Sequence, residues 1–440
     1  MSLTYWCEQA WLPDGVADSV LVELDGDRIA SVEQGEPGGA ERLAGLTIPG
    51  LANAHSHAFH RALRGVTQEA KGDFWTWREV MYEVAGRLDP DSYLALARAT
   101  YAEMALAGVT CVGEFHYLHH GPGGRPYDDP NTMGHALIQA ARDAGLRISL
   151  LDTCYLTGGF GTGLSGPQER FGDGDAELWA VRAQELAAAY EGQPDVEIGA
   201  AIHSVRAVPP EQMPTVAEFS HRHAAPLHAH VSEQRAENAA CVEMYAATPV
   251  RVLHEAGALG PRSTAVHATH LADVDIELLA QSSTYICMCP TTERDLADGI
   301  GPARTLFDRG AAITLGSDSQ AMIDLFEEAR AVELDERLAC ERRGTWRAAE
   351  LLGAATAVGH TSLGFPDAGL LVAGAWADLV SVRTDTVRTA GTSGLEAVVF
   401  AATAADVHSV VSGGRRVVRD GRHVLGDVGT MLTEAIGRLR

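Results

Sequence analysis

The stretch "PGLANAHSHAFHRALRG", residues 49–65, ends an apolar run in His55 and His57 and adds His60 shortly after. Residues i and i+2 of a β-strand project to the same side, so these two imidazoles can aim at one atom. A metal ion needs that geometry. The ordinary alternative is two polar residues leaving a strand for a loop, and the pair alone does not separate the two readings. Three further strand-like runs end in the same kind of chemistry: "LHAHVSEQ" carries His228, His230 and Glu233, "VHATH" carries His267, and "LGSDS" carries Asp318. Three imidazoles and a carboxylate around an ion that keeps one position for water describe a catalytic zinc centre better than a structural one. Each histidine taken singly is ordinary; together, at matching ends of successive strands, they predict a metal site.

Such a set has to be positioned by a scaffold. Eight apolar runs that end in polar residues follow one another: "GLANAHSH", "GVTCVGEFHY", "LRISLLDTCY", "VEIGAAIHSV", "APLHAHVSE", "STAVHATH", "STYICMCP" and "AAITLGSDS". Amphipathic stretches such as "PDSYLALARATYAEMALAG" and "DAELWAVRAQELAAAYE" lie between most of them. Near-continuous apolar strands alternating with helices predict an α/β fold, a (β/α)8 TIM-like barrel over residues 49–365, with chemistry at the C-terminal strand ends. Short strands and turn signals such as Asp25-Gly26 mark residues 1–48 and 366–440, predicting a small β-sandwich assembled from both termini.

The bulk properties narrow the partners. The chain has 440 residues and a formal charge of -25, which opposes nucleic-acid and anionic-membrane partners because both need a basic footprint. No secretory leader or membrane-spanning run is read, so a cytoplasmic protein is expected, and seven scattered cysteines suit a reducing compartment. "CMC", Cys287 to Cys289, reads as buried strand and not as a metal clip. Lysine occurs once, at Lys71. The loop "LTGGFGTGLSGPQERFGDG" fits the letter of a dinucleotide fingerprint, but Pro167 follows where a helix should begin; a mobile active-site loop is the better reading.

The motifs "HSH", "HAHVSE", "VHATH" and "GSDS", in this order, resemble the amidohydrolase superfamily along nearly the whole chain. The resemblance implies a metal-dependent hydrolase barrel in which His55, His57, His230 and Asp318 are the metal ligands. Members with two metals bridge them through a carboxylated lysine on the fourth strand; "VEIGAAIHSV" has none, so one divalent ion, with Zn²⁺ foremost, is expected. Glu233 matches an acid that the deaminase branch keeps three residues after its fifth-strand histidine. Outside this shell, "FHRALRG", "DFWTWREVMYE", "GEFHYLHH", "AIHSVRAV" and "CPTTERDLADGIG" are similar to the formiminoglutamate deiminases, enzymes of histidine degradation. That similarity implies that Arg78, Tyr117, His203 and Arg206 bind the glutamate moiety. His60 joins them as a substrate-binding residue, at a position where a glutamine is often expected. The related family also implies a homodimer.

The implied chemistry is hydrolysis of N-formimino-L-glutamate to N-formyl-L-glutamate and ammonia. Such a small anionic substrate carries two carboxylates, which arginines grip bidentately, and an amidine-like carbon, which an activated water attacks. By residue type alone Arg78 is an ordinary helix-surface residue, whereas Arg206 lies three residues beyond strand-terminal His203 at the catalytic rim. Asp318 is expected to take the water proton, His267 to help orient the nucleophile, and Glu233 to shuttle protons. Two other readings stay open: a deaminase of a purine, pyrimidine or related ring, and a non-catalytic metal- or ligand-binding barrel. A cytidine-deaminase-type site is disfavoured, since it needs Pro-Cys-x-x-Cys and the chain has "CMCP".

Overall fold

The computed structural model describes residues 3–68 and 74–439; Lys71 lies outside them. Eight strands form the central sheet: β1 (Leu51–Ser56), β2 (Val109–His116), β3 (Arg147–Cys154), β4 (Val196–Ile202), β5 (Leu227–Val231), β6 (Ser263–His267), β7 (Tyr285–Met288) and β8 (Ile313–Leu315). Each pairs in parallel with the next in chain order, as right-handed β-α crossovers require. Every residue of β1, β2 and β3 is buried, which explains why these strands read as apolar runs without alternation.

The eighth strand returns to the first just beyond its own end. Ser56 and Asp318 form a parallel bridge; the Asp318 N–H donates to the His55 carbonyl at 2.9 Å, and the His57 N–H donates to the Asp318 carbonyl at 3.1 Å. Gly316 permits this approach. A Cβ at that position would stand 2.8 Å from the His55 Cβ and 2.9 Å from its carbonyl oxygen.

Both termini build a second sheet of eight strands. Leu3–Leu12 and Glu41–Pro49 run parallel at its centre and every other neighbouring pair is antiparallel, so the chain ends are joined in one mixed sheet. Gly26 takes φ +62° at the hairpin turn between Gly15–Asp25 and Arg28–Gln34. Tyr5, Val20, Val22, Ile29, Leu43 and Leu379 form its own apolar core. A buried ion pair ties this sheet to the barrel. Arg147, the first residue of β3, reaches both carboxylate oxygens of Asp378, and its guanidinium lies 4.4 Å over the Trp376 ring. All seven cysteines are free, six of them buried. Among the described residues no helix is long and apolar enough to cross a membrane.

Candidate active site

His55, His57, His230 and Asp318 converge at the C-terminal mouth of the barrel, with one ligand atom from each inside a 4.8 Å spread. Asp318 Oδ1 lies 3.2 Å from His55 Nε2 and 3.3 Å from His57 Nε2, while His230 Nε2 lies 3.2 Å from His55 Nε2. Two main-chain carbonyls set the ring orientation: His57 Nδ1 donates to Phe115 O at 3.0 Å and His230 Nδ1 to His203 O at 2.8 Å. Those bonds place the protons on Nδ1 and leave both Nε2 lone pairs facing the centre.

Burial drives His55 down to about 4 and His230 well below the ordinary imidazole range. Burial would raise Asp318, but the imidazoles of His55 and His57 beside it outweigh that and hold the carboxyl well below its usual range. The Nε2 atoms of His57 and His230, left free by those carbonyl bonds, stand with His55 Nε2 and the Asp318 carboxylate as a donor set that fits a divalent cation.

Backbone conformation carries part of the positioning. Ser232, His267, Ala268 and Asp318 all have φ between +42° and +68°, in the left-handed region that side chains avoid. The sharp turns after β5, β6 and β8 aim Glu233, His267 and Asp318 inward. His267 Nε2 lies 3.8 Å from Glu233 Oε1 and 3.7 Å from Asp318 Oδ2, and its Nδ1 lies 3.4 Å from Glu293 Oε1. Burial raises the Glu233 carboxyl above its ordinary value. His267 is raised despite burial, because Glu233 and Glu293 flank it.

A narrow pocket of about 50 Å³ opens over this centre, lined by His57, His60, Arg78, Tyr117, His203, Arg206, His230, Glu233, His267 and Asp318 among others. All of the sequence-predicted site residues except the fully buried His55 therefore face one cavity. Tyr117 Oη meets His60 Nε2 at 2.9 Å, and the His203 ring packs 4.4 Å from Tyr155 and 5.3 Å from Tyr117. Arg206 is buried and charged; burial opposes the charge, but Glu237, bonded to its Nε, and Glu233, 3.9 Å from Nη2, hold it on. Arg78 stacks on Trp75 and Tyr82 at 4.9 and 5.4 Å, and no carboxylate of the described residues pairs with it.

The wall of Phe74, Trp77, Met81, Tyr82, Tyr155 and Leu296 was not among the predicted contacts, although "DFWTWREVMYE" carried its signal. Glu237 gave no signal, and Glu293 only as part of "CPTTERDLADGIG", since their partners Arg206 and His267 lie 31 and 26 residues away. His228 is buried on β5 but stands outside the converging set. The glycine-rich loop continues into a short 3₁₀ turn, Gly166–Arg170, with Pro167 inside it, and not into the helix that a dinucleotide site requires. His116, His119 and Asp152 cluster elsewhere, but both Asp152 oxygens are held by Arg182, one of them by Trp179 as well.

A parallel barrel closed beside a cluster of three histidines and an aspartate, with an added sheet from both chain ends, defines a class of metal-dependent hydrolases. The amidohydrolase family model matches residues 46–417, and the chain belongs to that family. It is a hydrolase that acts on carbon–nitrogen bonds, of the deaminase kind. It is 36% identical over 434 residues to the formimidoylglutamate deiminase of Pseudomonas aeruginosa, covering 95% of each chain. It is 31% identical to the 8-oxoguanine deaminase of the same species, over 92% of this chain and 89% of that one. A crystal structure of an amidohydrolase from Brucella melitensis superposes with a TM-score of 0.92 at 33% identity, covering 99% of each chain.

Proposed function

We propose that the protein hydrolyses N-formimino-L-glutamate to N-formyl-L-glutamate and ammonia, a step of histidine degradation. The observation that carries this reading is Arg78: a guanidinium without a carboxylate partner among the described residues, facing the same pocket as Arg206 and the metal-binding set. A substrate with two carboxylates supplies the missing counter-charge, and bidentate pairing is what arginine offers. The likeness to formimidoylglutamate deiminase supports the same substrate.

His55, His57, His230 and Asp318 would hold one divalent ion, Zn²⁺ foremost, which when bound supplies the Lewis acidity that lowers the pKa of a water. The protein residues do the rest. Asp318 accepts a proton from the attacking water while His267, 3.7 Å from its Oδ2, orients the nucleophile toward the formimino carbon. Glu233, whose carboxyl burial raises above its ordinary value, gives a proton to the imino nitrogen as the carbon becomes tetrahedral. The hydroxyl proton on the tetrahedral carbon then passes through Glu233 to that nitrogen, the carbon–oxygen double bond of the formyl group forms as the carbon–nitrogen bond to ammonia breaks, and the proton held by Asp318 returns to Glu233. Arg78 and Arg206 bind the carboxylates at the far end, with Tyr117, His203 and His60 shaping the middle of the pocket.

The aromatic wall favours a second reading, deamination of a purine-like ring, which stacks well on Trp77 and Tyr82. Arg78→Ala separates the two. Loss of a charge-assisted contact raises KM for N-formimino-L-glutamate by about 10- to 100-fold. Turnover of N-formiminoglycine, which lacks the second carboxylate, stays unchanged; equal turnover of both compounds by the parent protein contradicts the assignment.

A further inference from the structure

We infer that His267, Cys289 and the outer oxygen of Asp318 form a second, weaker site for a thiophilic divalent cation, and that filling it blocks the enzyme. One ligand atom from each of the three lies within 4.8 Å of the others, and all three side chains are buried. The histidine of this set is placed by φ +68° at the end of β6, and the cysteine follows the last residue of β7.

Asp318 divides its oxygens between two environments. Oδ1 faces His55 and His57 at 3.2 and 3.3 Å, whereas Oδ2 faces His267 Nε2 at 3.7 Å. A carboxylate turned this way can bridge two ions roughly 3.5–4 Å apart, as in two-metal hydrolytic sites. No lysine of β4 is needed for that bridge, because the second ion takes its other ligands from β6 and β7.

Charge points the same way. Glu233, Glu293, Asp298 and Asp318 gather around His267, and Arg206, 3.9 Å from Glu233, is already bonded to Glu237. Asp298 is 4% exposed, and its Oδ2 has no hydrogen-bond partner among the described residues. Burial, with Glu233 next in weight, pushes the Asp298 carboxyl up to about 8.

Without an ion, burial keeps the Cys289 thiol protonated. Binding exchanges the S–H bond for a sulfur–metal bond and releases the proton to solvent, so the site fills more readily as pH rises. Thiolate with imidazole selects Zn²⁺, Co²⁺ or Cd²⁺ over Mg²⁺ and Mn²⁺. An ion there occupies His267 and crowds Glu233. The inhibitory half of the inference rests on the roles proposed above for those residues, whereas the binding half does not.

Cobalt titration of the metal-free protein separates the two halves. The first equivalent is expected without thiolate-to-cobalt charge-transfer absorption, and the second with it. Cys289→Ser is expected to keep the first equivalent and the basal activity, to lose the charge-transfer band, and to resist inhibition by excess Zn²⁺. Should that variant fail to fold, zinc-edge X-ray absorption of the parent protein reads the same point: a sulfur neighbour appears only with the second equivalent. Absence of the band or of the sulfur signal at two equivalents overturns the site. A band without loss of turnover leaves the site standing and overturns the role given to His267.

Discussion

His57 and Asp318 meet twice. The main-chain N–H of His57 donates to the Asp318 carbonyl at 3.1 Å, and His57 Nε2 lies 3.3 Å from Asp318 Oδ1. Barrel closure and convergence of the proposed metal-binding atoms are thus a single structural event, reinforced by the Asp318 N–H to His55 carbonyl bond. An ion bound there fastens the first strand to the eighth.

Metal removal therefore costs stability as well as activity. Chelation is expected to lower Tm, and Zn²⁺ at a hundredfold excess over its Kd should restore about 2.7 kcal/mol. Differential scanning calorimetry with and without chelator checks this; an unchanged Tm contradicts a closure-linked site.

Gly316→Ala tests the same seam from the backbone side. The added Cβ would collide with His55 at 2.8–2.9 Å, against main chain that cannot step aside. We expect a loss of about 1–3 kcal/mol in denaturant unfolding. Because the displaced residue is a proposed metal ligand, weaker zinc binding should accompany it, a pairing that a remote core substitution of equal cost does not produce.

Glu233 gives the reaction a pH dependence. Its carboxyl is raised by burial, so the proton needed by the leaving nitrogen persists above the ordinary carboxylate range and is lost as pH rises through the raised value. Turnover should fall along that alkaline limb. Glu233→Gln is expected to keep the metal, lower kcat by about 10²- to 10⁴-fold and flatten the limb. Full turnover in that variant contradicts the proton shuttle.

The tie between barrel and terminal sheet is measurable through Asp378. Burial alone would raise its carboxyl, but Arg147 holds it below the usual range. A depressed folded value means stability present above the ordinary carboxylate pKa and lost as pH falls toward the folded one. Asp378→Ala, which strands buried Arg147, should cost about 3–5 kcal/mol near neutral pH. That gap should narrow in acid; a gap independent of pH contradicts the ion-pair account.

Much of this was readable beforehand for physical reasons. Strands buried on both faces must be apolar along their length, so β1 to β8 appear as runs, and the polar residues that end them mark the catalytic rim. His55, His57, His230, Glu233, His267 and Asp318 were legible because period-2 spacing and strand ends coincide. Arg78 came only from the family similarity of "DFWTWREVMYE", since by residue type an arginine in an amphipathic helix looks the same whether it faces solvent or a pocket. The positive φ of His267 and Asp318 left no trace in residue type, because histidine and aspartate enter that region without glycine. Nor did the pairing of Glu237 with Arg206, which only the fold brings together.

The most direct measurement is ammonia release by purified, zinc-loaded protein from N-formimino-L-glutamate, with N-formiminoglycine, guanine and cytosine alongside. Release from the glutamate compound, strongly preferred over the other three, is the predicted result. Release from a ring substrate and none from N-formimino-L-glutamate would contradict the account, leaving the metal-binding residues in place but overturning the roles of Arg78 and Arg206.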